Sequence, residues 1–102
     1  MNRIAIIDGI RTPFIKAGGD FSDIPAQELG RIVVRELLER KSFDPNLIDE
    51  VIFGNVAQPP EATNIARVIS LLAGIPYDKT AYTVSRNCAS GMEAITSACE
   101  KI

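Results

Sequence analysis

One residue in this sequence combines a type and a setting suited to covalent chemistry. In Ala81-Tyr82-Thr83-Val84-Ser85-Arg86-Asn87-Cys88-Ala89-Ser90-Gly91 a short β-branched run leads directly into a helix-forming stretch, and Cys88 stands at the junction. A strand would fix the position of that residue and the turn would expose it. The unpaired N–H groups of the following helical turn would supply positive potential that favours a thiolate over a thiol. The same groups can hydrogen-bond a thioester oxygen as it gains negative charge. Ala89 and Gly91 keep the face bare, so a substrate can approach the backbone closely. A helix dipole contributes only about 0.3–1 kcal/mol, which leaves most of a free thiol protonated at neutral pH, so a reacting cysteine here needs a nearby base. The chain has no histidine to serve. The alternative reading of Cys88 is a buried structural thiol at a strand end.

The remaining candidates are weaker. Cys99 lies about three helical turns beyond Cys88, roughly 16 Å away, where a disulfide tolerates about 7 Å. Set among Ala94, Ile95, Ala98 and Ile102, it reads as a small buried hydrophobe. Two cysteines so spaced, without a histidine, give too few ligands for zinc, so no metal site is expected. Ser90, two residues past Cys88, reads as a hydroxyl that satisfies backbone in the first helical turn. Gly18-Gly19 lacks the Gly-Lys-Ser/Thr of a phosphate loop, and no GxGxxG occurs, so no nucleotide cofactor is implied. A hydrolase nucleophile elbow wants glycine two residues before the nucleophile, and Arg86 is there instead.

The elements that must position Cys88 alternate in type, which makes the fold class α/β. Arg3 to Asp8, apolar at Ile4, Ala5, Ile6 and Ile7, reads as a central strand covered on both faces. A helix follows from about Pro25 to Lys41, with Leu29, Ile32, Val33 and Leu37 on one face. The second strand is Glu50 to Val56, bounded by prolines. The second helix, about Thr63 to Ala73 with Gly74 at its C′ position, is apolar almost all round and so needs cover on every side, from its own domain or from a second subunit. A third strand, Ala81 to Val84, runs into a third helix that starts near Cys88 and is still in register at Ile102. Three parallel strands leave open edges, and no helix stop signal precedes Ile102. The expectation is therefore the N-terminal portion of something larger; edges closed by another copy of the chain are the alternative.

Composition narrows the function classes. The 102 residues are 46% hydrophobic and carry 11 Lys+Arg against 13 Asp+Glu, a formal net charge of −2. No basic excess or run of like charges suggests nucleic acid as a partner. The longest apolar stretch, Val68 to Ile75, is interrupted by Ser70 and falls far short of the roughly 20 residues that span a bilayer. Ile4 to Ile7 is too short for a secretory h-region of about 7–15 residues, so a cytoplasmic location and reduced thiols are expected.

Four segments then resemble one family, the thiolases, which cleave or form 3-ketoacyl-CoA thioesters. They are Arg11-Thr12-Pro13-Phe14, Gly54-Asn55-Val56, Asn64-Ile65-Ala66-Arg67 and Ser85-Arg86-Asn87-Cys88-Ala89-Ser90-Gly91-Met92, in thiolase order and spacing. The resemblance implies a layered fold, of which residues 1–102 would be a partial N-terminal domain containing the first three βα units of a mixed five-stranded sheet. It implies that Cys88 is the acylated nucleophile and that its own N–H helps hold the thioester oxygen. A coenzyme A thioester would be substrate rather than cofactor. Asn64 and Arg67 would be positioning and interface residues, in a homo-oligomer built as a dimer or dimer of dimers. The family places its activating His and a second catalytic Cys in its C-terminal half; neither has a counterpart in these residues, so the 102-residue chain alone is expected to be inactive. A role in fatty acid metabolism goes with the family. A ketoacyl-synthase-like condensing enzyme and a non-catalytic dimerisation or thiol-sensing module are the other readings.

Overall fold

A computed structural model describes residues 2–102. Residue φ near −68° and the missing N–H make Pro25 a natural entry to helix α1, Ala26–Arg40, with Glu28 in its first turn and Arg40 in its last, as the helix dipole favours. A 3₁₀ turn, Pro45–Leu47, is capped by Asp44, whose carboxylate accepts from the Asn46 N–H. It leads into strand β1, Glu50–Gly54. A second 3₁₀ turn, Pro60–Ala62, precedes helix α2, Ile65–Leu72. Strand β2, Thr80–Val84, and helix α3, Ser90–Glu100, complete the order.

The two strands pair in parallel, with Glu50 opposite Thr80 and Gly54 opposite Val84. Ala62, Ile65 and Ile69 form the buried centre, with Val34 from α1, Phe53 from β1 and Val68 from α2 packed against it. The axes of α1 and α2 cross closely because α1 carries glycine at the crossing: a Cβ on Gly30 would lie 2.2 Å from Ile69 Cδ1. Helix α2 ends in a Schellman motif. Gly74 adopts φ +86°, its N–H donates to Leu71 O, and Ile75 N–H donates back to Ser70 O.

Three expectations are corrected. Arg3 to Asp8 forms no strand: no ladder bonds join it to β1 or β2, and Ile6 and Ile7 are 80% and 81% exposed. A run apolar on both faces becomes a central strand only where neighbours pair and cover it, and among the described residues it has neither. It is tied down instead by side chains, Asp8 to Arg40 at 3.7 Å and Asn2 Nδ2 to Ile102 O at 2.8 Å. On α1 the covered stripe runs through Gly30, Val34 and Leu38 rather than through Ile32, which is 43% exposed, because the crossing with α2 centres on Gly30. Helix α2 is not among them: it buries Ile65, Ala66, Ile69 and Ser70 within its own domain and leaves Leu71 and Leu72 about half exposed, the surface for which a second subunit is the expected cover. Helix α3 begins at Ser90 rather than at Cys88. The turn at Asn87 delays its start.

Candidate active site

Cys88 is exposed and lies one residue before Ala89, the N-cap of α3. Three features of the chain put it there. Asn87 adopts φ +48°, a left-handed conformation that asparagine tolerates better than most residues, and this reverses the chain between β2 and α3. Ser90, 5% exposed, donates its hydroxyl to Asn87 O at 2.7 Å and accepts from Arg86 N–H at 2.7 Å. The Ala89 N–H donates to Arg86 O at 3.0 Å, closing the turn. Ser90 thus satisfies backbone, as its spacing from Cys88 suggests.

Beneath the turn, β1 and α3 touch without any side chain between them. A Cβ on Gly54 would come within 2.3 Å of Ser90 C and O and 2.6 Å of Gly91 N. The other ends of the same two elements are joined by charge. Lys101, at the end of α3, meets Glu50, the first residue of β1, at 2.9 Å, and Thr80 Oγ1 donates to Glu50 Oε1 at 3.1 Å. The Lys101 hydrogen bond, reinforced by that from Thr80, holds the Glu50 carboxyl below the usual glutamate range; in return the bond to Glu50 raises Lys101 above the usual lysine value. Lys101 also sits 5.1 Å over the Tyr82 ring. Helix α3 is therefore clamped along β1 at both ends, with Cys88 at the glycine end.

On its open side the site is bare. A Cβ on Gly91 would meet nothing within 4 Å. The N–H groups of Gly91 and Met92, in the first turn of α3, have no acceptor among the described residues. Arg86 is drawn aside, its Nη1 2.7 Å from Glu93 Oε2, which spans the start of the helix and leaves Cys88 uncovered. The arrangement presents an exposed cysteine one residue before the N-cap of a helix whose first turn holds unpaired N–H donors, a setting suited to receiving a carbonyl carbon while its oxygen gains charge.

Asn64 and Arg67 sit one layer away and act on β2. Asn64 caps α2 and accepts from Thr83 Oγ1 at 2.9 Å, while its Nδ2 donates to Ala81 O at 3.1 Å; Thr83 Oγ1 in turn accepts from Ala66 N–H. Arg67 Nη1 and Nη2 donate to Lys79 O and Tyr77 O at 2.7 and 2.8 Å. Both residues fix the strand that delivers Cys88, and neither has a bond to Cys88 itself. Arg11, from the first of the four motifs, stacks 4.8 Å over Phe14, a ring 90% exposed. Cys99 is half-buried rather than buried; it lines a cavity of about 370 Å³ with Asn2, Ile4, Glu100 and Ile102. Sequence reasoning missed the Gly54 contact, because nothing local says which backbone will lie opposite a strand glycine. It also missed the Asn87 turn, for which asparagine directly before the junction is the signal.

Comparison with known proteins decides the family. Residues 4–102 match the thiolase N-terminal domain. The chain belongs to the thiolase family. It is 50% identical over 100 residues to a 3-ketoacyl-CoA thiolase of Aeromonas salmonicida, and 48% identical over 101 residues to one of Pseudoalteromonas translucida. These alignments cover 98% and 99% of the chain but 23% of each relative, so the chain spans about a quarter of the thiolases it matches. A crystal structure of the Bacillus anthracis acetyl-CoA acetyltransferase superposes on 83% of the chain and 22% of its own, with TM-score 0.78 and 40% identity. The two-stranded parallel sheet with its helices is thus a piece of the thiolase fold.

Proposed function

We propose that this thiolase chain carries the acyl-accepting half of a thiolase active site, with Cys88 as nucleophile. The observation that supports this best is the setting of Cys88, exposed one residue before the N-cap of α3, a helix whose first turn has unpaired N–H groups at Gly91 and Met92 and open space at Gly91. In the cleavage direction the Cys88 thiolate attacks the 3-keto carbonyl carbon of a 3-ketoacyl-CoA. The carbonyl oxygen takes the negative charge, and the N–H of Cys88 helps hold it. As the carbonyl re-forms, the bond between C2 and C3 breaks and its electron pair is protonated at C2, releasing acetyl-CoA. The acyl group remains on sulfur until a second CoA thiol attacks the thioester and Cys88 leaves as thiolate. In the condensing direction Cys88 carries acetyl.

The His that activates the thiol and the Cys that handles the C2 proton lie, on this reading, in the part of the thiolase fold that the chain does not span, and the chain alone is inactive. The half-exposed Leu71 and Leu72 on α2 support assembly as a dimer, with Asn64 and Arg67 behind the contact. The cytoplasm is the compartment and fatty acid metabolism the setting that go with this chemistry; no helix among the described residues is long and apolar enough to cross a membrane. The test is mass spectrometry of the complete thiolase, with the rest of its fold present, after exposure to acetyl-CoA. An acetyl adduct on the peptide containing Cys88 is expected, and one that persists in Cys88→Ala rejects the assignment.

A further inference from the structure

We infer that Ser90 is a positioning residue for the Cys88 chemistry: its buried hydroxyl locks Asn87 in the left-handed conformation that presents the thiol at the mouth of α3. The inference rests on Cys88 being the nucleophile only for its meaning in catalysis; the geometry it describes stands apart from that. Asparagine reaches φ +48° at a cost, and a side chain in that region persists only where its surroundings hold it. At this turn one hydroxyl is the side-chain group that holds it, beside the backbone bonds from Ala89 N–H to Arg86 O and from Ser90 N–H to Asn87 O. It engages the residue on the N-terminal side of Asn87 through Arg86 N–H and Asn87 itself through its carbonyl, both at 2.7 Å. Ser90 cannot retreat, because its own backbone is pressed against Gly54, and at 5% exposure no solvent replaces its hydroxyl. Its side chain makes no contact with the open face at Gly91, so its influence passes through the backbone of the turn. Without the hydroxyl, Arg86 N–H loses its partner and Asn87 O keeps only the longer 3.2 Å bond from the Ser90 N–H; Asn87 relaxes toward negative φ, and Cys88 shifts from its place before α3.

The experiment follows iodoacetamide capture of Cys88 in the complete thiolase, read by peptide mass spectrometry with Cys99 as internal reference, beside the acylation rate at saturating acyl-CoA. Ser90→Ala should slow both at Cys88 by about tenfold, from the loss of two hydrogen bonds at one turn, while the half-saturating acyl-CoA concentration changes less than twofold. Adding Asn87→Gly, which removes the cost of the left-handed turn, should restore most of the loss in the double variant, where general destabilisation by Ser90→Ala would not be relieved. Asn87→Val, on the exposed side of the turn, keeps the serine and spares the core but opposes positive φ; it should reproduce the Ser90→Ala loss even if Ser90→Ala fails to fold. Wild-type capture in Ser90→Ala or in Asn87→Val, or a double variant as slow as Ser90→Ala, overturns the inference. Unacylated Cys88 in the wild-type protein, with the capture pattern intact, would instead refute the nucleophile reading and leave the Ser90 turn standing.

Discussion

Gly54→Ala is the substitution that most sharply tests how the sheet supports the thiol. The added methyl would sit 2.3 Å from Ser90 C and O, and both are backbone atoms that no rotamer change can move. Ordinary carbon contacts begin near 3.5 Å, so the end of β1 and the first turn of α3 must separate by about 1 Å. The clamp at the opposite end, between Glu50 and Lys101, resists a parallel shift of the whole helix. The displacement is therefore taken up as a tilt about the Lys101 end, greatest at Ser90 and Cys88. Overpacking of this kind costs about 1–3 kcal/mol of stability. A misplacement of about 1 Å at a reacting group costs on the order of 100-fold in rate. The assay pairs a denaturant midpoint with the rate at which Cys88 is acylated in Gly54→Ala, with Gly9→Ala as control, since a methyl there meets nothing within 4 Å and the residue lies outside the site. Acylation in Gly54→Ala within twofold of wild type, at an unchanged midpoint, would refute the idea that the strand glycine sets the position of the sulfur.

Other perturbations have equally defined outcomes. Gly30→Ala should destabilise by about 1–3 kcal/mol by driving a methyl into Ile69, and Ile69→Val in the same chain should recover part of that loss, giving a non-additive double variant in urea titrations. Arg67→Ala removes two charge-assisted hydrogen bonds from the segment that enters β2 and should lower stability by about 1.5–3 kcal/mol, read as a lower urea midpoint at unchanged slope. Glu50→Gln tests the clamp by pH. Because the bond to Lys101 depresses the folded Glu50 pKa, the native state binds fewer protons than the unfolded chain in the acid range; the stability gap between wild type and variant is present above pH 4.5 and closes as the pH falls through the depressed value. The raised Lys101 sets the upper limit, and the gap closes again as the pH climbs past 10.5 through the lysine's own folded value. The pair is exposed, so the gap should also shrink in high salt.

The elements whose boundaries rest on local chemistry were legible from residue types. Pro25 opens α1, Asn64 caps α2, Gly74 closes it, and the β-branched run before Cys88 forms β2 within a residue of its expected start. What escaped depends on partners distant in sequence. Ile4 to Ile7 has the composition of a covered strand, but composition does not supply the neighbours that make one. The glycines at 30 and 54 look alike in sequence, and only the packed fold shows one accommodating an isoleucine and the other a backbone. At the site, the nucleophile candidate and the backbone role of Ser90 could be read directly. The left-handed residue just before Cys88, Asn87, which moves the helix start from Cys88 to Ser90, was missed, although asparagine directly before the junction is its signal.

The parallel register of β1 and β2 has a consequence for how members of such a family can diverge. Gly54 and Val84 stand level, so the connection after each strand, residues 55–64 and 85–89, departs from one rim of the sheet. The first is a long, proline-studded excursion with an exposed Val56, and the second is a tight turn fixed by Ser90. Insertions or exchanges in the longer excursion can reshape the rim while the short turn keeps Cys88 in place. The two connections are thus neighbouring but separately adjustable segments, one free to vary in length and one held by its own hydrogen bonds.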